Sequence, residues 1–97
     1  MTERPQAAAT QLVDNNQVRV TRFDFPAQSE TGWHRHEMDY MITALTDLSM
    51  TLESEGETKT VFTKRGEVYF RKAGVHHNVI NNRDVPMAFV ECELKHD

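Results

Sequence analysis

A single cysteine, Cys92, stands in a chain of 97 residues. No disulfide can form within the chain, and a reducing cytoplasm is the expected compartment. The place of Cys92 in an alternating apolar run marks it as a small buried hydrophobe. No run approaches the roughly 20 apolar residues that span a bilayer. The opening Met1-Thr2-Glu3-Arg4-Pro5-Gln6 lacks the apolar centre of a secretory signal. A soluble, unprocessed protein with no membrane partner is expected. Basic charge is also scarce: 11 Lys and Arg face 15 Asp and Glu. The cations are scattered, so no nucleic-acid partner is expected. Finally, no stretch of about ten or more residues keeps a helical period, and there are no internal repeats.

What remains is a succession of short strands and turns. A chain of this length makes one domain with a modest core, burying somewhat over about 60% of the surface it exposes when unfolded. Residues 1–17 are polar, with Ala7-Ala8-Ala9 and Asn15-Asn16, and read as an N-terminal arm that lies along a sheet or crosses to a partner subunit. The rival reading places a helix over 5–13. The domain itself is expected over 18–97. Its strands begin with Val-Arg-Val-Thr-Arg-Phe-Asp-Phe from Val18, which stops at Pro26. Runs over 39–45, 48–52 and 58–62 follow, expected as a meander turning at Thr46-Asp47 and at 54–57. Shorter runs over 68–70 and 79–80 lead to a last strand over 87–94. Strand signals at this spacing indicate an all-β sandwich or barrel.

The candidate chemistry lies in the histidines. His34 and His36 are one residue apart, so in a strand they point to one face with backbones roughly 6 to 7 Å apart. A second cluster follows in Gly74-Val75-His76-His77-Asn78. Neutral imidazoles at such spacing can share one metal ion. A lone histidine on a strand is more often a hydrogen-bonded structural residue. His96, next to the C-terminus, reads as solvated.

Gly66, Gly74, His77 and Asn81 stand at the offsets of the second sequence motif of the cupins, and His34 and His36 match the first. The chain resembles a small single-domain cupin over about residues 18 to 94, which implies a double-stranded β-helix, or jelly-roll, barrel. The stretch Gly32-Trp33-His34-Arg35-His36-Glu37-Met38-Asp39-Tyr40 is similar to that of small bacterial cupins associated with β-alanine or polyamine breakdown. The resemblance selects His34, His36 and His77 as the metal ligands, with His76 turned away.

Departures from the motifs are informative. Lys72 replaces the usual Pro, Gln28 the opening Gly and Asp47 the closing Gly of the first motif. Asp tolerates the left-handed backbone that hairpin turns require, so the turn at Asp47 is expected to survive. Tyr40 stands where the family has its Glu ligand. In an unbroken strand residues 34, 36, 38 and 40 share a face, and a phenol titrates near pH 10. Tyr40 is therefore expected beside the ion as a neutral hydrogen-bond donor and as the catalytic candidate. Glu37 and Asp39 turn away by strand alternation. Trp33 fits the barrel mouth or the core equally. Tyr69 and Arg71 share a strand face, where a guanidinium would suit a carboxylate substrate.

Three imidazoles suit one divalent transition metal, Fe, Zn, Ni or Cu, over magnesium or calcium. Iron(II) would leave positions for substrate and dioxygen; zinc would leave one for water. The expected function is a metal-dependent enzyme acting on a small polar metabolite, oxygenase-like ahead of isomerase or lyase. The alternatives are a non-catalytic cupin that binds a small ligand and a structural β-barrel partner protein with vestigial histidines. Short barrels expose apolar strand faces, including Met41 and Leu45, and a homodimer is expected.

Overall fold

A computed structural model describes residues 3–95; His96 lies outside the described residues. Among the described residues nine strands form two antiparallel sheets: β1 (Ala8–Asp14), β2 (Val18–Phe25), β3 (His34–Arg35), β4 (Asp39–Ala44), β5 (Leu48–Ser54), β6 (Glu57–Thr63), β7 (Val68–Arg71), β8 (His76–Asn81) and β9 (Met87–Leu94). One sheet has the order β1-β2-β9-β4-β7 and the other β3-β8-β5-β6. The all-β class and jelly-roll architecture expected from the sequence are thus present. No helix among the described residues is long and apolar enough to cross a membrane.

Alternation along the strands builds the space between the sheets. Tyr40, Ile42 and Ala44 of β4 turn inward and are buried, as are Met87 and Phe89 of β9 and Leu48 and Met50 of β5. In β2, Phe23 and Phe25 are registered against Phe89 and Met87. The rings of Phe23, Phe25 and Phe89 lie 5.3 to 6.5 Å apart, in tilted contact. These side chains fill much of the space between the sheets.

Two sequence expectations fail here for a common reason, which is that the chain changes sheets at short connections. The meander over β4, β5 and β6 does not form. β5 pairs with β6 and β8, whereas β4 pairs with β7 and β9 in the opposite sheet. The link at 45–47 is accordingly a corner, held by Leu45 N–H to Ala88 O at 3.0 Å and Ala88 N–H to Thr46 Oγ1 at 3.2 Å. Asp47 has no positive φ; its carboxylate instead accepts the Arg65 N–H at 2.9 Å. Nor is the strand unbroken from residue 34 to 40: β3 ends at Arg35 in one sheet and β4 starts at Asp39 in the other.

Gln28 is the one non-glycine residue with positive φ, 61°, among the described residues. At the position where the motif has Gly it takes the left-handed backbone that glycine favours, a conformation that costs an L side chain free energy. Its backbone N–H to Arg83 O (3.1 Å) and its side-chain amide to Asp84 (3.0 Å) help to offset that cost. At the N-terminus, residues 8–14 pair with β2 as an exposed edge strand, β1, with a bulge between Gln11 and Val13. The helix considered over 5–13 is absent, because the pairing with β2 satisfies the backbone groups that a helix would satisfy internally.

Candidate metal centre

The structure brings His34, His36 and His77 together on one side of the space between the sheets. His34 and His77 are directly opposite in the β3–β8 ladder. His36 lies just beyond β3 and is fixed through its backbone: its N–H donates to Val75 O and its C=O accepts from Gly74 N–H, both at 2.8 Å. Gly74 has φ 104°, a value that favours glycine and lets the loop before β8 approach His36. Behind His34, Asn78 Oδ1 accepts the Gly32 N–H at 2.9 Å, and Thr31 N–H donates to Val79 O at 2.9 Å. Buried Asn81 donates to the carbonyls of Pro26 and Val85 at 3.1 and 2.8 Å, securing the loops at the far end of β8.

The three ring Nε2 atoms converge. Those of His34 and His36 are 3.1 Å apart, and those of His36 and His77 are 3.2 Å apart. His34 Nδ1 lies 2.8 Å from Gly32 O. A carbonyl can only accept, so Nδ1 carries the proton and Nε2 presents its lone pair to the centre. Burial, then the neighbouring histidines, hold His36 at about 4 and His77 at about 3, well below the usual imidazole range. Neutral nitrogens packed lone pair toward lone pair repel unless a cation lies between them. Ligands at about 2.1 Å from one ion, at tetrahedral or octahedral angles, sit roughly 3.0 to 3.4 Å apart. The donor set therefore fits a divalent transition metal, and the three residues form a cluster capable of holding one.

The opposite sheet supplies the other wall. Tyr40 is 3% exposed, and its ring stacks on His36 with centroids 3.9 Å apart at 19°. Burial raises its phenol far above the usual range, so the hydroxyl keeps its proton at all ordinary pH. Tyr69 is registered against Ile42 and also lines the cavity.

Glu91 is the residue that sequence reasoning missed. It is 8% exposed, and its Oε1 is 3.8 Å from His36 Nε2. Burial, reinforced by Glu93, pushes its carboxyl up to about 7. The signal lay in strand parity: Glu91 and Glu93 fall on the same face of β9 as Met87 and Phe89, a face whose first two residues are core. Glu93 is paired with Arg19 at 2.8 Å, whereas Glu91 faces the histidines.

The remaining candidates lie outside the cluster. His76 Nδ1 is 2.8 Å from Glu55, and its ring packs on exposed Trp33 at 5.2 Å. Trp33 therefore belongs to neither the core nor the cavity. Asp39 accepts the Ala73 N–H at 2.8 Å, and Glu37 is exposed.

A two-sheet jelly roll with imidazoles converging from β3, the segment just beyond it and β8 defines a cupin barrel, and the chain belongs to the cupin superfamily. It is 46% identical over 95 residues to the β-alanine degradation protein BauB of Pseudomonas aeruginosa, covering 98% of this chain and all of that protein. A crystal structure of a cupin domain from Bordetella pertussis superposes with a TM-score of 0.97 at 44% identity, over 99% of this chain and all of the other. A cupin with a double-stranded β-helix fold from Methanocaldococcus jannaschii shares the fold alone, with a TM-score of 0.78 at 16% identity, over 99% of this chain and 86% of that one. No family model matches the chain.

Proposed function

We propose that this cupin is a metal-dependent enzyme that moves a proton on a small polar metabolite, and that the metabolite belongs to β-alanine breakdown. The observation that carries the reading is the pairing across the cavity. Three convergent histidine nitrogens come from β3, the segment just beyond it and β8, and the carboxylate of Glu91 faces them from the other sheet at 3.8 Å from His36. The pathway is inferred from the P. aeruginosa relative, a β-alanine degradation protein aligned with nearly the whole chain.

His34, His36 and His77 would hold the ion. When bound, a divalent metal supplies Lewis-acid polarisation of a substrate oxygen and an acidified water. The chain's own residues do the rest. Glu91 accepts and returns a proton in a largely buried setting, the task of a general base with its carboxyl near neutrality. Tyr40 holds the His36 ring by stacking and offers its hydroxyl as a donor that stays protonated. Phe23, Ile42, Met50 and Phe89 form the apolar floor that excludes bulk water.

Glu91 also bears on the reaction class. Isomerase, lyase or hydrolytic chemistry requires a proton carrier, and a carboxyl beside the histidines supplies one. The test is to load metal-free protein anaerobically with iron(II) or zinc(II) and follow loss of three-carbon amino and oxo acids with and without dioxygen. Turnover without oxygen uptake supports proton-transfer chemistry. Turnover that consumes dioxygen stoichiometrically replaces it with the oxygenase reading, and no turnover with any metal leaves a binding protein.

The same proposal includes a homodimer in a reducing cytoplasm. Phe70, Met41, Cys92, Val20 and Val13 stand in register across β7, β4, β9, β2 and β1. They form an apolar row on the outer face of the five-stranded sheet, so half-buried Cys92 lies outside the core expected for it from its alternating run; the inner face carries Tyr40 and Glu91. A second copy covering this row would bury it.

A further inference from the structure

Beside the metal centre lies a second cavity of about 260 Å³ that shares Tyr40, Leu52, Tyr69 and His77 with it. Its polar wall includes Lys59 and Arg71, and no Asp or Glu lines it. The two cations come from different sheets. Lys59 of β6 is registered against Leu52, and Arg71 of β7 against Tyr40. Directly opposed residues share a sheet face, so Arg71 stands on the same side as buried Tyr40. Lys59 stands on the same side as Leu52, which lines both cavities. A pair of inward-side cations at one end of the barrel runs against a chain whose net charge is −4.

Among the described residues no carboxylate forms an ion pair with Lys59 or Arg71. The Arg71 guanidinium donates to Phe70 O at 2.9 Å and rests 4.5 Å from the centroid of the Tyr69 ring. That packing parks the fork against the cavity wall, leaving further N–H groups available.

We propose that this cavity is a carboxylate subsite. Arg71 and Lys59 hold the carboxylate of a small substrate while its other end lies at the histidine nitrogens. The proposal rests on the reading of the histidine cluster as the reacting centre, and adds the substrate's charge and its direction of entry. Arg supplies planar paired donors and Lys a mobile point charge, together the usual means of selecting an anion over its neutral isostere. The volume lies below the roughly 300 to 1,000 Å³ of drug-sized sites, in keeping with a short-chain acid. Glu91, at the inner end, would repel a carboxylate that entered the other way round.

The test uses calorimetric titration of the full chain, zinc-loaded and metal-free, with 3-hydroxypropanoate and its neutral isostere 3-hydroxypropanamide. Wild type is expected to prefer the acid in both states, and Lys59→Gln with Arg71→Gln to lose roughly 10- to 100-fold in acid affinity. Amide affinity should fall far less than acid affinity and zinc content should be unchanged, with Arg71→Lys intermediate. Both side chains are exposed at the cavity mouth, so the variants should fold. Equal affinity for acid and amide, no acid binding at millimolar concentration, or variants that keep the preference would each overturn the subsite. Failure of the metal centre reads differently: the wild type would take up no zinc, while the metal-free titration would still judge Lys59 and Arg71.

Discussion

The Tyr40 ring lies flat on the His36 ring, 3.9 Å between centroids, although Tyr40 belongs to β4 of the five-stranded sheet and His36 lies just beyond β3 of the other. The stack gives Tyr40 a positioning role that differs from ligation. Tyr40→Phe keeps the stack and removes the hydroxyl, so metal content should remain at the wild-type level while turnover falls. Tyr40→Ala removes the stack and should destabilise the fold by about 3 to 5 kcal/mol, with weaker metal binding. Loss of metal from Tyr40→Phe, measured by elemental analysis, would make the phenol itself a ligand.

Glu91→Gln keeps the shape of the side chain and removes the proton acceptor. Turnover should fall by roughly 10²- to 10⁴-fold with metal retained. In the metal-free protein the same change should stabilise the fold at pH 8 by on the order of 2 kcal/mol, since a carboxyl raised to about 7 resists ionisation in the folded state. Urea unfolding at pH 8 and near pH 4.5 measures this; the gain should vanish at the lower pH.

The stability of the metal-free wild type should fall as pH drops from 6.5 towards 4.5. His36 and His77, held at about 4 and about 3, stay neutral when folded, whereas their unfolded counterparts take up protons near 6.5. Their contribution is complete above 6.5 and is lost on acidification, at roughly 1.4 kcal/mol per pH unit for each. Glu91, protonated when folded below about 7, has the opposite sign and adds stability as pH falls to 4.5. Two histidines against one carboxylate leave a net loss of roughly 1.4 kcal/mol per unit. Urea midpoints across this range test it, and a midpoint that rises on acidification contradicts it.

Phe70 is 46% exposed at the end of the apolar row. Phe70→Asp should convert a dimer to a monomer in sedimentation velocity without altering metal content. A wild type that is monomeric at micromolar concentration contradicts the dimer.

The strands over 18–25, 39–44 and 87–94 were legible because β-branched and aromatic residues alternate there between turn signals. The histidine cluster was legible because His34, His36 and His77 keep a fixed motif spacing. Sheet membership was hidden: the corner at 45–47 and the switch between Arg35 and Asp39 are too short to distinguish from a hairpin or a continuous strand. Glu91 was hidden for a related reason. Its inward direction follows from alternation with Met87 and Phe89, but its approach to His36 depends on which sheet faces which. The pairing of Lys59 with Arg71 is likewise a product of two sheets meeting.

The occupancy of His34, His36 and His77 by one ion is measured most directly by elemental analysis of protein purified without added metal and again after loading, beside His77→Ala. One equivalent of a divalent transition metal per chain is predicted in the wild type, with affinity reduced at least about 100-fold in the variant while its circular dichroism stays that of a β fold. A wild type that takes up no metal after loading, or a His77→Ala protein at full occupancy, would contradict it.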